Sequence, residues 1–190
     1  MMKLATLALL TIAFLLGRSG APGQAGSDNS KAQPPGPGAV RARIAFLAGT
    51  FATATRIPPG PSMPDGATGQ GTSVVTWALD SMFLSIEDQG LNSLFGQYKG
   101  RGMLGFDVPT HQYVLSMFNN FGDHPTYHGT FAGDTLVLQT RVPAPRAPFD
   151  QKLLWYKEGD VVKLIVLNDS GKGFLPVLEQ TATPVSQTTK

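Results

Sequence analysis

From Thr50 onward the chain is a series of short segments in which apolar and polar residues alternate, separated by clusters of Gly, Pro, Asn and Asp. Alternation at period two marks a strand with one buried face. Residues 50–57 are rich in Thr, Ala and Phe and turn extended. Residues 72–80 place Val75, Trp77 and Leu79 on one face, and 81–88 do the same with Met82, Leu84 and Ile86. A glycine-rich strand is predicted over 97–107. In 111–118, Tyr113, Leu115 and Met117 alternate against Val114, Ser116 and Phe118. Segments 127–131 and 135–142 flank Ala132-Gly133-Asp134, and 149–157 and 161–167 flank Glu158-Gly159-Asp160; both connections suit three-residue hairpin loops. A last strand is predicted at 174–182. Ahead of the strands, Val40, Ile44 and Leu47 recur at i, i+4 and i+7, which predicts one or two helical turns that Gly49 ends. Residues 58–71, dense in Pro and Gly, read as one long loop, the kind that serves as a lid or binding loop.

Nine or ten short strands with tight turns and almost no helix define an all-β antiparallel meander. A long open meander exposes two sheet edges, and closure into a barrel removes them. The expected architecture is therefore a closed barrel of eight to ten strands over residues 40–182, preceded by a short helical segment. Such a barrel holds either packed side chains or a cavity for one small ligand.

The N-terminus changes the cellular setting. Lys3 precedes an uncharged apolar run from Leu4 to Leu16, too short for a comfortable membrane span but suited to a secretory signal. Residues 1–25 are expected to be that signal, with cleavage after Ala25 preferred to cleavage after Ala21, where Pro22 would become the first residue. Residues 26–39 read as a Pro/Gly-rich disordered tether and 183–190 as a flexible tail. The expectation is an exported protein, periplasmic or secreted, with no membrane segment once the signal is gone. The 15 basic residues less Lys3 and Arg18 leave 13 against 13 acidic ones, a mature formal charge of zero. With no basic cluster, nucleic acid is not an expected partner. The chain has no cysteine, hence no disulfides and no lipid-anchor cysteine, and its stability must come from an ordinary core.

Candidate chemistry is sparse. Gly100-Arg101-Gly102-Met103-Leu104-Gly105 spells G-x-G-x-x-G, but the nucleotide fingerprint needs a buried strand before it and a helix opening after it. Pro109 would break that helix, so the stretch reads as a meander strand. Its glycines either open a cavity, if Gly100, Gly102, Leu104 and Phe106 face inward, or leave Arg101 and Met103 to line the interior. His124 and His128 have H-x3-H spacing, yet Pro125 argues against a helix, and in a strand they stand about 13 Å apart, too far to share a metal. No metal site and no cofactor is expected. No G-x-S-x-G elbow occurs, and no serine has an activating base and acid recognisably beside it. Trp77 and Trp155 could stack on a ligand, although strand tryptophans more often fill cores. Asn119 and Asn120 form a polar cluster at a strand end, which a turn also explains. Asn168-Asp169-Ser170 matches a glycosylation sequon within another turn.

The ordered motifs Leu47-x-Gly49-Thr50-Phe51, Trp77-x-Leu79-Asp80-x-x-Phe83-Leu84, Gly102-x-Leu104-Gly105-Phe106-Asp107, Tyr113-Val114 with Phe118-Asn119-Asn120-Phe121-Gly122, and His128-Gly129-Thr130-Phe131 resemble the uncharacterised bacterial family named domain of unknown function 1579. The resemblance spans about residues 45–182. It implies a small, often exported, lipocalin-like (calycin) β-barrel and no transferable activity. The chain departs from the family pattern at Phe51 and Met117, where tryptophans are usual, and at Asn119 and His128, where acids are usual. Those departures weaken the idea of a shared carboxylate site.

These readings lead to an exported, non-enzymatic barrel that binds a small apolar or amphipathic ligand. Trp77, Arg101, Tyr113, Asn119, Asn120, His128 and Trp155 are the candidate binding residues, and no catalytic residue is named. Two alternatives stand beside it. One is a hydrolase or isomerase using polar residues at the barrel mouth, and the other is a filled barrel acting as an envelope interaction module. The oligomeric state is not legible.

Overall fold

The computed structural model describes residues 37–60, 63–143 and 148–185; the expected signal, most of the tether and the end of the tail lie outside them. A helix, α1 (Pro37–Ile44), runs into a 3-10 turn (Ala45–Leu47) and is followed by ten strands. These are β1 (Gly49–Ile57), β2 (Ala67–Ala78), β3 (Phe83–Asn92), β4 (Gly96–Asp107), β5 (Gln112–Asn119), β6 (Thr126–Ala132), β7 (Thr135–Val142), β8 (Phe149–Glu158), β9 (Val161–Asp169) and β10 (Leu175–Pro184). Each pairs antiparallel with the next, and β1 pairs with β10, so the meander closes into a barrel. Helix α1 begins at Pro37, a position that tolerates a missing N–H, three residues before the expected Val40.

Besides the two hairpin loops, which hold two residues each rather than three because Ala132 pairs with Thr135 and Glu158 with Val161, two sequence expectations need correction. Residues 58–71 are not one loop, because β2 begins at Ala67 and the connection is only 58–66. The glycines that suggested a loop belong to the sheet: Gly71 pairs with Gly90, and a Cβ at Gly71 would run into the Gln89 carbonyl oxygen and come within 2.8 Å of the Gly90 Cα. Only glycines let the two backbones approach this closely. The second correction concerns Leu79 and Met82, which do not join the buried faces. Strand β2 ends at Ala78, and Leu79, Asp80 and Ser81 all take left-handed backbone angles (φ 49°, 55° and 65°). That turn throws Leu79 and Met82 into solvent, at 68% and 46% exposure.

Alternation along the strands sorts side chains into an inner and an outer set, and the register carries the inner set round the barrel without a break. The inner set splits along the barrel axis. Towards the end near α1 it is apolar and closed: Leu84, Leu104, Leu115, Leu136 and Leu138 are fully buried, with Phe51, Val75, Ile86, Leu153 and Val162 packed around them. Helix α1 covers this end. Val40, Ile44 and Leu47 form the expected stripe and are buried in the same cluster. Polar contacts fix its placement. Tyr113 Oη donates to the Val40 carbonyl at 3.2 Å, Arg43 donates to the Gly133 carbonyl at 2.9 Å, and the Arg41 and Arg43 guanidinium groups lie over Trp77 and Phe131 at 4.9 and 4.1 Å.

At the opposite end no helix covers the opening. There the barrel is ringed by the β1–β2, β3–β4, β5–β6, β7–β8 and β9–β10 connections. Strand β10 carries a bulge between Pro176 and Leu178, which leaves Val177 unpaired and lets proline stand in a strand.

Candidate functional site

The inner set at the uncovered end differs in kind from the apolar floor. It includes Thr53 and Thr55 of β1, Gly69, Gly71 and Ser73 of β2, Asp88 and Gly90 of β3, Tyr98 and Gly100 of β4, Asn119 of β5, Tyr127 of β6, Thr140 of β7, Gln151 of β8, Asn168 of β9 and Gln180 of β10. Most of these are partly exposed although they point inward, so this half of the lumen is open to solvent. Their polar groups form short chains along the wall. The Tyr127 hydroxyl meets Gln151 Oε1 at 2.5 Å, Gln151 Nε2 donates to Asn168 Oδ1 at 2.9 Å, and Gln180 Nε2 donates to Thr55 Oγ1 at 3.3 Å. Among the described residues no buried side-chain polar atom lacks a partner.

Strand β4 settles the orientation that the sequence left open. Tyr98, Gly100, Gly102, Leu104 and Phe106 face inward, and Arg101 and Met103 face outward. The space over the glycines is used by neighbours: a Cβ at Gly100 would come within 2.5 Å of Tyr98 Oη, and one at Gly102 would collide with Met117 Sδ. On the outer face, the Phe83 ring covers Gly105 in the same way. The G-x-G-x-x-G run is thus wholly strand and lies under side chains, with no helix after it.

Three ionisable groups share the open lumen. Burial holds the Asp88 carboxyl above its ordinary value of 3.8, against an opposing hydrogen bond from Ser73. The Tyr98 hydroxyl is pushed up to about 12, first by burial and then by the negative charges of Asp88 and Asp123. Tyr127 is likewise raised to about 12 by burial, with smaller contributions from Tyr98 and Asp123. Both phenols are therefore neutral donors at any physiological pH. Asp123 itself stands in the β5–β6 connection at the rim. Asn119 Nδ2 donates to it at 3.2 Å. An aromatic run leads inward from the same rim, from Phe95 to Phe121 (ring centroids 6.3 Å) and from Phe121 to Tyr98 (6.1 Å).

The residues expected from sequence fall in three places. Trp77, Tyr113 and Trp155 face inward at the helix-covered end and pack on the core. Burial raises the Tyr113 hydroxyl, and nearby Arg43 opposes the rise. Arg101 and His128 face outward, Arg101 in an ion pair with Glu87 at 3.1 Å. Asn119 and Asn120 are at the rim, where both build the turn, and Asn119 holds an inward position opposite Gly100 at the end of β5. Asn119 Oδ1 accepts from the Phe121 and Asp123 amides, while Asn120 spans to β4, accepting from the Lys99 amide and donating to the Gln97 carbonyl. The structure does not bring the seven together. His124, His128 and Asp123 are all exposed, so the enzymatic reading that would gather them in one cavity has no geometry. Among the described residues no three His, Asp or Glu side chains are placed to hold a metal ion. The sequon asparagine, Asn168, points into the lumen, and Asp169 caps the following turn by accepting from the amides of Gly171, Lys172 and Gly173.

Sequence reasoning missed Asp88, Tyr98 and Tyr127. The signal was present for Asp88, since it continues the inward series of Leu84 and Ile86 at period two. A hollow of about 410 Å³ lies against β2–β5 beside Val74, the Glu87–Arg101 pair and Phe118, and its lining also takes in Asp88, Gly100 and Asn119. A second, of about 520 Å³, lies where the 3-10 turn meets β1 and the β8–β9 hairpin. Neither contains the inward polar groups as a set.

Residues 36–163 match the family model described as "Protein of unknown function (DUF1579)". The chain belongs to this family. The DUF1579 match spans the helix and β1 to β8, reaches the start of β9, and includes Asp88, Tyr98 and Tyr127. No curated protein matches the chain. Among solved structures, the fold of this DUF1579 member is similar to a de novo designed fluorescence-activating β-barrel (15% identity, 75% of this chain and 96% of that one, TM-score 0.42). It is also similar to EF1p2_mFAP2b bound to DFHBI (13% identity, 77% and 99%, TM-score 0.43). At these scores the likenesses bear on neither ligand nor mechanism.

Proposed function

We propose that this DUF1579 protein is an exported, non-enzymatic barrel that binds a small amphipathic molecule in the uncovered half of its lumen. One observation carries the reading. The inward side chains divide into a sealed apolar floor and a partly exposed polar wall, so the barrel is filled at one end and receptive at the other. A barrel needed only as a rigid surface has no use for an inward aspartate, two tyrosines and two glutamines. Sites for small molecules bring a few polar groups together on a concave wall, and the inward polar set supplies such groups. The sequence expectation is refined on one point: the polar part of the ligand belongs inside, and its apolar part belongs against Phe95, Phe121 and Tyr98.

Two substitutions test the location. Thr55 faces the lumen and Thr72 faces outward on the neighbouring strand. In native mass spectrometry of gently purified protein against a lipid and amphiphile panel, Thr55→Trp is expected to abolish adduct formation and Thr72→Trp to preserve it. Wild-type protein that flies only at its bare mass throughout the panel would sink the proposal.

A further inference from the structure

We propose that Asp88 is the anchor for a protonated amine, and that the lumen selects amphipathic primary amines that enter head first. This inference rests on the binding role proposed above and names its ligand class. Asp88 is the one Asp, Glu, Lys, Arg or His at an inward position in the uncovered half of the barrel, among the described residues. Among the described residues the ion pairs are Arg56–Glu179, Glu87–Arg101, Arg141–Asp150 and Glu158–Lys163, and none of them gives Asp88 a cation. An inward carboxylate with a serine on one side and a glycine on the other is open to a charged donor from the lumen. Its register partners are Ser73 and Gly100, and Gly100 leaves room for the Tyr98 ring to lie beside it.

The surroundings match the same chemistry. Aromatic faces attract ammonium groups, and Tyr98, Phe121 and Phe95 line the way from the rim towards the carboxylate. Asp123 adds a second negative charge at the mouth, held by Asn119. Two carboxylates and, among the described residues of this half, no inward cation make a field that draws cations in and turns anionic head groups away. An alkyl or aryl tail then meets the apolar rim, where Leu91, Leu94, Phe95 and Phe121 are 64%, 46%, 55% and 49% exposed.

The test compares n-octylamine, n-octanol and octanoate at pH 7, all below micelle-forming concentrations, by calorimetry on the full chain. Octylamine is expected to bind about tenfold more tightly than octanol, the scale of one charge-assisted hydrogen bond, and octanoate most weakly. Asp88→Asn is expected to remove the preference for octylamine over octanol, with Asp88→Ser as the second variant should the first fold poorly. Octylamine is expected to move the amide resonances of Gly90 and Gly100 and to leave that of Thr72 unmoved. An unchanged octylamine preference in both variants, or octanoate binding as well as octylamine, overturns the anchor alone. Failure of all three compounds to bind overturns the anchor together with the lumen reading.

Discussion

At the scale of single residues, the instructive contrast is between Trp77, Tyr113 and Trp155 on one side and Asp88 on the other. The large aromatics are conspicuous in the sequence, and the fold uses them at the helix-covered end, where they fill the core and, for Tyr113, hold the helix through Val40. Asp88 is inconspicuous because it lies where the predicted strand stops, and a strand-end aspartate normally reads as part of a turn. Strand β3 continues to Asn92, so Asp88 lies well inside it, on the same face as Leu84 and Ile86. Its titration has a stability consequence. The folded state holds the Asp88 carboxyl above 3.8, so as pH rises from about 4 the unfolded chain releases this proton first. The groups facing it are Ser73, Tyr98 and, from the rim, Asp123, none of them a cation. Stability attributable to this residue is therefore complete below about pH 4 and is lost as pH rises through its folded value. Asp88→Asn is expected to raise the melting temperature by a few degrees at pH 7, and the gain should shrink towards zero as the pH approaches 4. A melting series across pH 4–8 checks both the sign and the window.

At the scale of elements, strand identity was legible in period-two alternation, and boundaries were not. All ten strands were anticipated, because the apolar residues on alternate positions leave few other options. The starts and ends went wrong where backbone geometry replaced side-chain pattern. Gly69 and Gly71 look like loop residues to a reader of composition, yet they pair with Asn92 and Gly90 in the sheet, where a Cβ would crowd the backbone of β3. Leu79 looks like a third core residue after Val75 and Trp77, yet it opens a left-handed turn. Left-handed backbone costs a non-glycine residue about 1–2 kcal/mol. Leu79→Gly is therefore expected to raise stability by up to about 1 kcal/mol, after allowance for the extra freedom of glycine in the unfolded chain. Gly71→Val is expected to lower it by several kcal/mol, because the added side chain meets the backbone of β3. Urea unfolding of the two variants measures both changes.

At the scale of the whole molecule, the all-β closed barrel followed from the need to bury two sheet edges, and the structure has that closure between β1 and β10. The division of the interior into a sealed floor and a polar wall was not legible, because it depends on which face of β4 turns inward and on register across ten strands. The closing seam carries a further consequence, in time. It joins Phe51 to Pro184 and Arg56 to Glu179, positions that the chain brings together only when its last strand is made. Pairings this distant in sequence form late and slow the folding of β-rich domains. Ala182→Gly, on the buried side of the seam opposite Thr53, is expected to speed unfolding and leave the refolding rate nearly unchanged, as stopped-flow chevrons would show. Until β10 arrives, β1 is paired on one side only, with Phe51 and Ile57 not yet covered from that flank. The first strand synthesised is thus the last to be completed, and the interval between the two is when this chain is most open to pairing with a neighbour.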